Sequence, residues 1–219
     1  MFSLIVFLAL GLGATQGDQR NLPAGTVPTT PVSTVTFTWS LSRANPPYYS
    51  VAITTMGSIA YKSFPNSDMV TGNPYVGEFT ATKETRTEIF RLAEEANFFR
   101  GLPSHRGEYI QRLSTKSLTY DSGTIHNQTF YLHPVDRRIQ RLTALFEDIS
   151  STINFRRLLE RTLVQNPGGL SAELRNIGEQ RKKGKLIEFQ ALTPVLEKIA
   201  SDSAIGAKAR SEAQSLLKE

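Results

Sequence analysis

Val35-Thr36-Phe37-Thr38-Trp39-Ser40-Leu41 sets a large apolar side chain at every second position and a small polar one between. A period of two puts all four apolar residues on one face of an extended chain, so the segment predicts a strand with one buried side. The same alternation returns at Tyr49, Val51 and Ile53, after the break at Asn45-Pro46-Pro47. Met56-Gly57 turns the chain back into Ile59 and Tyr61, and a polar stretch from Pro65 to Pro74 leads to a fourth strand over Tyr75 to Ala81. Short strands joined by turns predict an antiparallel meander. Two further strands, Leu113 to Tyr120 and Thr124 to Leu132, meet at Asp121-Ser122-Gly123 as a hairpin.

Between the meander and the hairpin the period changes. Thr82 is placed to cap a helix running to about Phe98, with Glu84 in its first turn and Ile89, Leu92, Ala93 and Ala96 as its apolar stripe. Glu84, Glu88, Arg91 and Glu95 fall on another face, where their spacing predicts a solvated, salt-bridged surface rather than paired catalytic carboxylates. His133-Pro134 opens the longest predicted helix, carried by Val135, Ile139, Leu142, Phe146, Ile149 and Ile153 and stopped at Asn166-Pro167-Gly168-Gly169. Its narrow stripe suits a helix lying across a sheet. Three shorter amphipathic helices fit the remainder, roughly 171–182, 186–200 and 203–218, punctuated by Gly184 and Asp202. The expected fold is α+β: an antiparallel sheet of about six strands with two helices on one face, then a small C-terminal helical bundle.

The ends of the chain extend this reading. Phe2 to Ala14, FSLIVFLALGLGA, is uncharged and mostly apolar, too short for a spanning helix and followed by small residues. This pattern predicts a secretory signal over residues 1–17, although no Lys or Arg precedes the apolar run. Residues 18–31 hold three prolines and predict a disordered linker. The sheet domain is expected over 32–165 and the helical appendage over 170–219. The 219 residues contain no cysteine, which excludes disulfides, thiolate metal sites and a thiol nucleophile. An exported chain without disulfides leans toward a bacterial envelope, periplasmic or extracellular. No transmembrane segment is expected once the signal is removed.

Two resemblances emerge from these segments. PYYSVAITTMGSIAYKS, the helix ending in ANFF and the hairpin closing before a helix resemble a family of small exported bacterial α+β domains of unknown function, over about residues 47–133. Members of that family often carry a cysteine just before the Pro-x-Tyr segment, where this chain has Ala44-Asn45-Pro46. The family brings no assigned catalytic residues. LTPVLEKIASDSAIGAKARSEAQSLL is similar to a single HEAT-type helical repeat, with Asp202 and Arg210 at its usual polar positions. One such repeat cannot form a solenoid, which needs stacked neighbours.

Local catalytic and cofactor signatures are sparse. No Gly-x-Ser-x-Gly elbow exists, and Ser215-Leu216-Leu217-Lys218 matches Ser-x-x-Lys without its partner motifs. The three histidines, His105, His126 and His133, lack metal-ligand spacing, and His133 is expected to cap the long helix. The only Gly-x-Gly lies in the apolar N-terminal run, so no nucleotide cofactor is expected. Asn127-Gln128-Thr129 fits a glycosylation sequon but lies within a predicted strand. The net charge of +5 gathers into two basic sets, Arg137, Arg138 and Arg141 on the long helix and Arg181, Lys182, Lys183 and Lys185 after it. Without a nucleic-acid reading motif they form a candidate anion-binding surface toward envelope polymers or headgroups, and no nucleic-acid partner is expected.

Catalytic, cofactor and metal residues are therefore not assigned from the sequence. The leading expectation is a non-catalytic binding module of the bacterial envelope, taking a protein, a ligand or an envelope polymer. A hydrolase with a dispersed site around His126 or His133 is the alternative. It requires an imidazole within reach of a carboxylate and a Ser or Thr in one cleft. A structural or oligomerising protein using its C-terminal helices is the third reading.

Overall fold

Six strands form a single antiparallel sheet in the order β4-β3-β2-β1-β5-β6. They are β1 (Thr34–Ser40), β2 (Tyr48–Thr54), β3 (Ser58–Phe64), β4 (Tyr75–Thr80), β5 (Thr115–Asp121) and β6 (His126–Tyr131). The computed structural model describes residues 31–41, 46–64, 73–102, 114–134 and 136–218. The expected signal over 1–17, the linker up to residue 30 and His105 lie outside the described residues.

The alternation in β1 explains why it sits at the centre. Phe37 is level with Val51 of β2 and with Leu118 of β5, and all three are fully buried. Because the side-chain period is two, one such match fixes which face of each strand turns inward. Gly57 joins β2 to β3 with φ at +89°, a conformation that glycine adopts without the Cβ penalty.

Helix α1 (Lys83–Glu95) and helix α2 (Arg137–Gln165) cover the inner face. Ile89, Leu92 and Ala93 of α1 and Ile139, Leu142, Phe146, Ile149 and Ile153 of α2 join the strand residues in one core. Phe146 stacks on Phe37 at 5.6 Å. Hydroxyl groups tie α2 to the sheet across this layer: Tyr61 donates to Asn154 at 3.1 Å, Tyr75 to Glu160 at 3.2 Å, and Tyr131 meets Thr143 at 2.6 Å. Burial pushes the phenols of Tyr49, Tyr61 and Tyr131 upward, and Tyr75 is pushed up to about 12 by burial and then by Glu160.

The last turns of α2 enter a second core. Leu159 packs with Leu170, Leu174 and Ile177 of α3 (Leu170–Lys182), Val195, Leu196 and Ile199 of α4 (Thr193–Ser201), and Ala209, Ala213 and Leu216 of α5 (Ala207–Lys218). One continuous helix thus serves both cores. The α+β architecture, with two helices on the sheet and a helical tail beyond it, is the one expected. No helix among the described residues is long and apolar enough to cross a membrane.

Local boundaries differ from expectation for identifiable reasons. His133 does not cap α2: Asp136 does, its carboxylate accepting from the backbone N–H of Arg138 at 2.8 Å and of Ile139 at 3.4 Å. A carboxylate at the positive end of a helix is a better acceptor than an imidazole, and Pro134 disfavours a helical conformation at His133 before it. Thr82 caps α1 as expected, but the helix ends at Glu95 instead of continuing to Phe98. The middle tail helix is shortened to α4 because Pro194 belongs in a first turn, and Phe189–Leu192 form a separate 3-10 turn.

A single side chain joins the turn before α4 to the start of α1. Glu188 is 4% exposed and has φ at +62°. Its carboxylate accepts from the Thr82 backbone N–H at 2.9 Å, the Thr82 hydroxyl at 2.8 Å and the Gln190 amide. Thr152 of α2 adds a second tie by donating to the Ile187 carbonyl at 2.7 Å.

Candidate functional site

The β5–β6 hairpin and the end of α1 build the candidate site from opposite sides. At the hairpin, Asp121 Oδ1 accepts from the Gly123 N–H at 2.9 Å, and the Ser122 N–H donates to the Ile125 carbonyl at 3.0 Å. Gly123 takes φ of +77°, which completes a tight polar turn. Asp121 and His126 face each other as the first register pair of the hairpin, with Oδ2 3.1 Å from Nδ1. The Gly123 N–H and then His126 hold the Asp121 carboxyl below its usual range.

On the other side the chain leaves α1 through a left-handed turn. Asn97, Phe98 and Phe99 have φ of +50°, +50° and +67°, a run of three that ordinary L-residues adopt only when packing compels it. The packing is visible: Phe99 is 2% exposed, and Phe98 lies 4.5 Å from the Tyr120 ring. The Phe99 N–H donates to the Ala96 carbonyl at 3.0 Å and the Arg100 N–H to the Asn97 carbonyl at 2.9 Å. Phe99, anchored in the core, and Phe98, half-buried against Tyr120, therefore leave Asn97 and Arg100 outside.

The two walls enclose an open cleft of about 400 Å³ lined by Asn97, Phe98, Arg100, Thr124, Ile125, His126 and Asn127. Its polar equipment is mostly donors: a guanidinium, two carboxamides, an imidazole and a hydroxyl. Phe98 and Ile125 supply apolar surface. Such a lining, a few convergent polar groups beside apolar ones, is the chemistry of small-ligand recognition. His126 was singled out from the sequence as a candidate site residue and Asn127 only as part of a sequon, while Asn97, Arg100 and Thr124 were not. The available signal was Asn97, the non-glycine type most tolerant of positive φ, placed between the helix stripe and Gly101.

The remaining sequence-derived residues are dispersed. His133 is exposed in the turn before α2 and does not line the cleft. Arg138 binds Asp136 and the Glu95 carbonyl, and Arg141 donates to Glu88 at 2.8 Å. Glu88 also receives Arg91 at 2.8 Å, so the acidic face of α1 forms the salt-bridged surface expected of it, with the Glu88 carboxyl held low by Arg91 first. Arg181 donates to the Leu216 carbonyl at 2.7 Å and stacks over Phe189. These three arginines pack helices together. Arg137, Lys182, Lys183 and Lys185 are exposed, the lysines flanking Gly184. Lys185 acts electrostatically on Asp148, which lies roughly 15 Å along α2 from Arg138. The two basic sets are therefore separate. Among the described residues no three His, Asp or Glu side chains gather to hold a metal ion.

Compared with known protein families and with curated proteins, the chain matches none.

Proposed function

We propose that this protein is a non-catalytic binding module of the bacterial envelope, exported through its apolar N-terminal run, and that it takes its ligand in the cleft between the β5–β6 hairpin and the end of α1. The observation that carries the reading is the left-handed turn at Asn97–Phe99. Three strained residues are held by buried aromatic packing so that Asn97 and Arg100 face His126 and Asn127 across one opening. Backbone strain that packing sustains next to a cleft is a mark of a preorganised site. The cleft walls stand on elements fixed to the main core, which limits the entropy cost of ordering them on binding.

Lys182, Lys183 and Lys185 support a secondary contact. They are exposed, and among the described residues no carboxylate lies within ion-pair distance of them. An anionic envelope polymer is the partner such a knot would hold beside the cleft ligand.

A ligand screen by saturation-transfer NMR with a panel of amino-acid, peptide and sugar derivatives tests the proposal. Bound molecules are expected to be recovered chemically unchanged, and their signals to vanish in the Arg100→Leu/Asn127→Ala variant. A panel member converted to product, with loss of turnover in His126→Ala, would establish the hydrolase reading in its place.

A further inference from the structure

The composition of the cleft narrows its ligand, on the reading that the cleft is the binding site. Arg100 is exposed, and among the described residues no carboxylate lies within ion-pair distance of it, unlike Arg91, Arg138, Arg141 and Arg156. A guanidinium so placed on a cleft wall presents a planar fork of donors whose natural complement is a carboxylate or a phosphate. Asp121 decides between them. It lies behind His126, within hydrogen-bond distance of the ring and more than half exposed, so a full negative charge stands close to the opening. A monoanion tolerates that neighbour far better than a dianion.

Asn97 and Asn127 add a second requirement. A carboxamide both donates and accepts, so two of them on opposing walls complement a group that does the same, such as a secondary amide. Phe98 and Ile125, the latter 44% exposed, offer apolar contact for a short aliphatic portion. The volume of about 400 Å³ lies within the range of small-molecule sites and is too small for a folded partner.

We infer that the cleft binds a small carboxylic acid bearing a secondary amide, with the carboxylate on Arg100 and the amide between Asn97 and Asn127. This chemistry has two sources in an envelope: the free carboxy end of a short peptide and an N-acetylated sugar acid.

Titration of the ¹⁵N-labelled protein separates them. The probes are N-acetyl-alanyl-alanine, its carboxamide, and N-acetylmuramic acid. Saturable shifts of the Asn97, Thr124 and Asn127 signals are expected with at least one acid. The acid that binds identifies the source. The uncharged carboxamide should bind at least tenfold more weakly than its parent acid where the peptide is the source. Arg100→Leu should weaken the binding acid at least tenfold and Arg100→Lys less so, with unchanged thermal midpoints because Arg100 is exposed. Failure of both acids to move these signals overturns the inference. Equal binding of acid and carboxamide at the same residues overturns the carboxylate assignment while leaving the cleft as a binding site.

Discussion

Replacing Glu188 by alanine removes a buried side chain that links the tail to the start of α1. Two bonds from Thr82 are lost, from its N–H at 2.9 Å and its hydroxyl at 2.8 Å, together with the Gln190 contact. A hydrogen bond to a charged group contributes about 1.5–3 kcal/mol, so the Thr82 pair alone represents about 3–6 kcal/mol gross. Relief of the desolvation cost of a buried carboxylate offsets part of this, leaving an expected loss of about 2–4 kcal/mol. Alanine keeps the unfavourable φ of +62° whereas glycine relieves it, so Glu188→Gly should be about 1 kcal/mol more stable than Glu188→Ala. Urea unfolding followed by far-UV circular dichroism and by fluorescence of Trp39, the single tryptophan, gives both numbers. Trp39 lies in β1 and reports the sheet, while the dichroism is dominated by the helices. In the wild type the two transitions should coincide, and in Glu188→Ala the helical signal should fall first. Loss of less than about 0.5 kcal/mol, or equal stability of the glycine and alanine variants, would refute the claim that Glu188 clasps the tail to the sheet.

Three further outcomes are expected, two from the structure and the third from the proposed export. Asp136, held down to about 2 chiefly by Arg138, contributes stability that is complete above the ordinary carboxylate range and lost as pH falls from about 4 toward 2; acid unfolding of Asp136→Asn should lack that portion, about 1–2 kcal/mol. The phenols of Tyr49, Tyr61, Tyr75 and Tyr131 have raised values, so their contribution is intact below pH 10 and lost at higher pH; absorbance at 295 nm should show them un-ionised at pH 11 until the protein unfolds. Export should yield a mature chain of about 202 residues, the 219 less the first 17, and intact mass spectrometry of the envelope fraction reads it directly.

The sheet and both of its covering helices were legible because their signal is periodic. Val35, Phe37, Val51, Ile53 and Ile59 alternate, Ile139 to Ile153 recur by threes and fours, and all of them are buried. Periodicity reports burial, and burial dominates the choice of element. The features that escaped are aperiodic. Asp136 outcompetes His133 as a cap through carboxylate geometry, and Glu188 reaches Thr82 across 106 positions of sequence. The cleft escaped for the same reason. Asn97 and Arg100 read as the frayed end of a helix, and only the contact of Phe98 with Tyr120 and the burial of Phe99 reveal why the chain reverses its hand there. Two of the predicted basic positions, Arg138 and Arg141, are already engaged: Arg138 pairs with the Asp136 cap and donates to the Glu95 carbonyl, and Arg141 pairs with Glu88 of α1, a partner that a linear sequence does not display.

On the proposed reading, recognition resides in the cleft. Isothermal titration of the acid probe that binds the wild type, repeated with Arg100→Leu/Asn127→Ala and with Lys182→Ala/Lys183→Ala/Lys185→Ala, tests it most directly. Affinity is expected to fall at least tenfold in the first variant and to stay within twofold in the second. Retained affinity in the first and loss in the second would contradict that reading and move the binding surface to the lysine knot beyond α3.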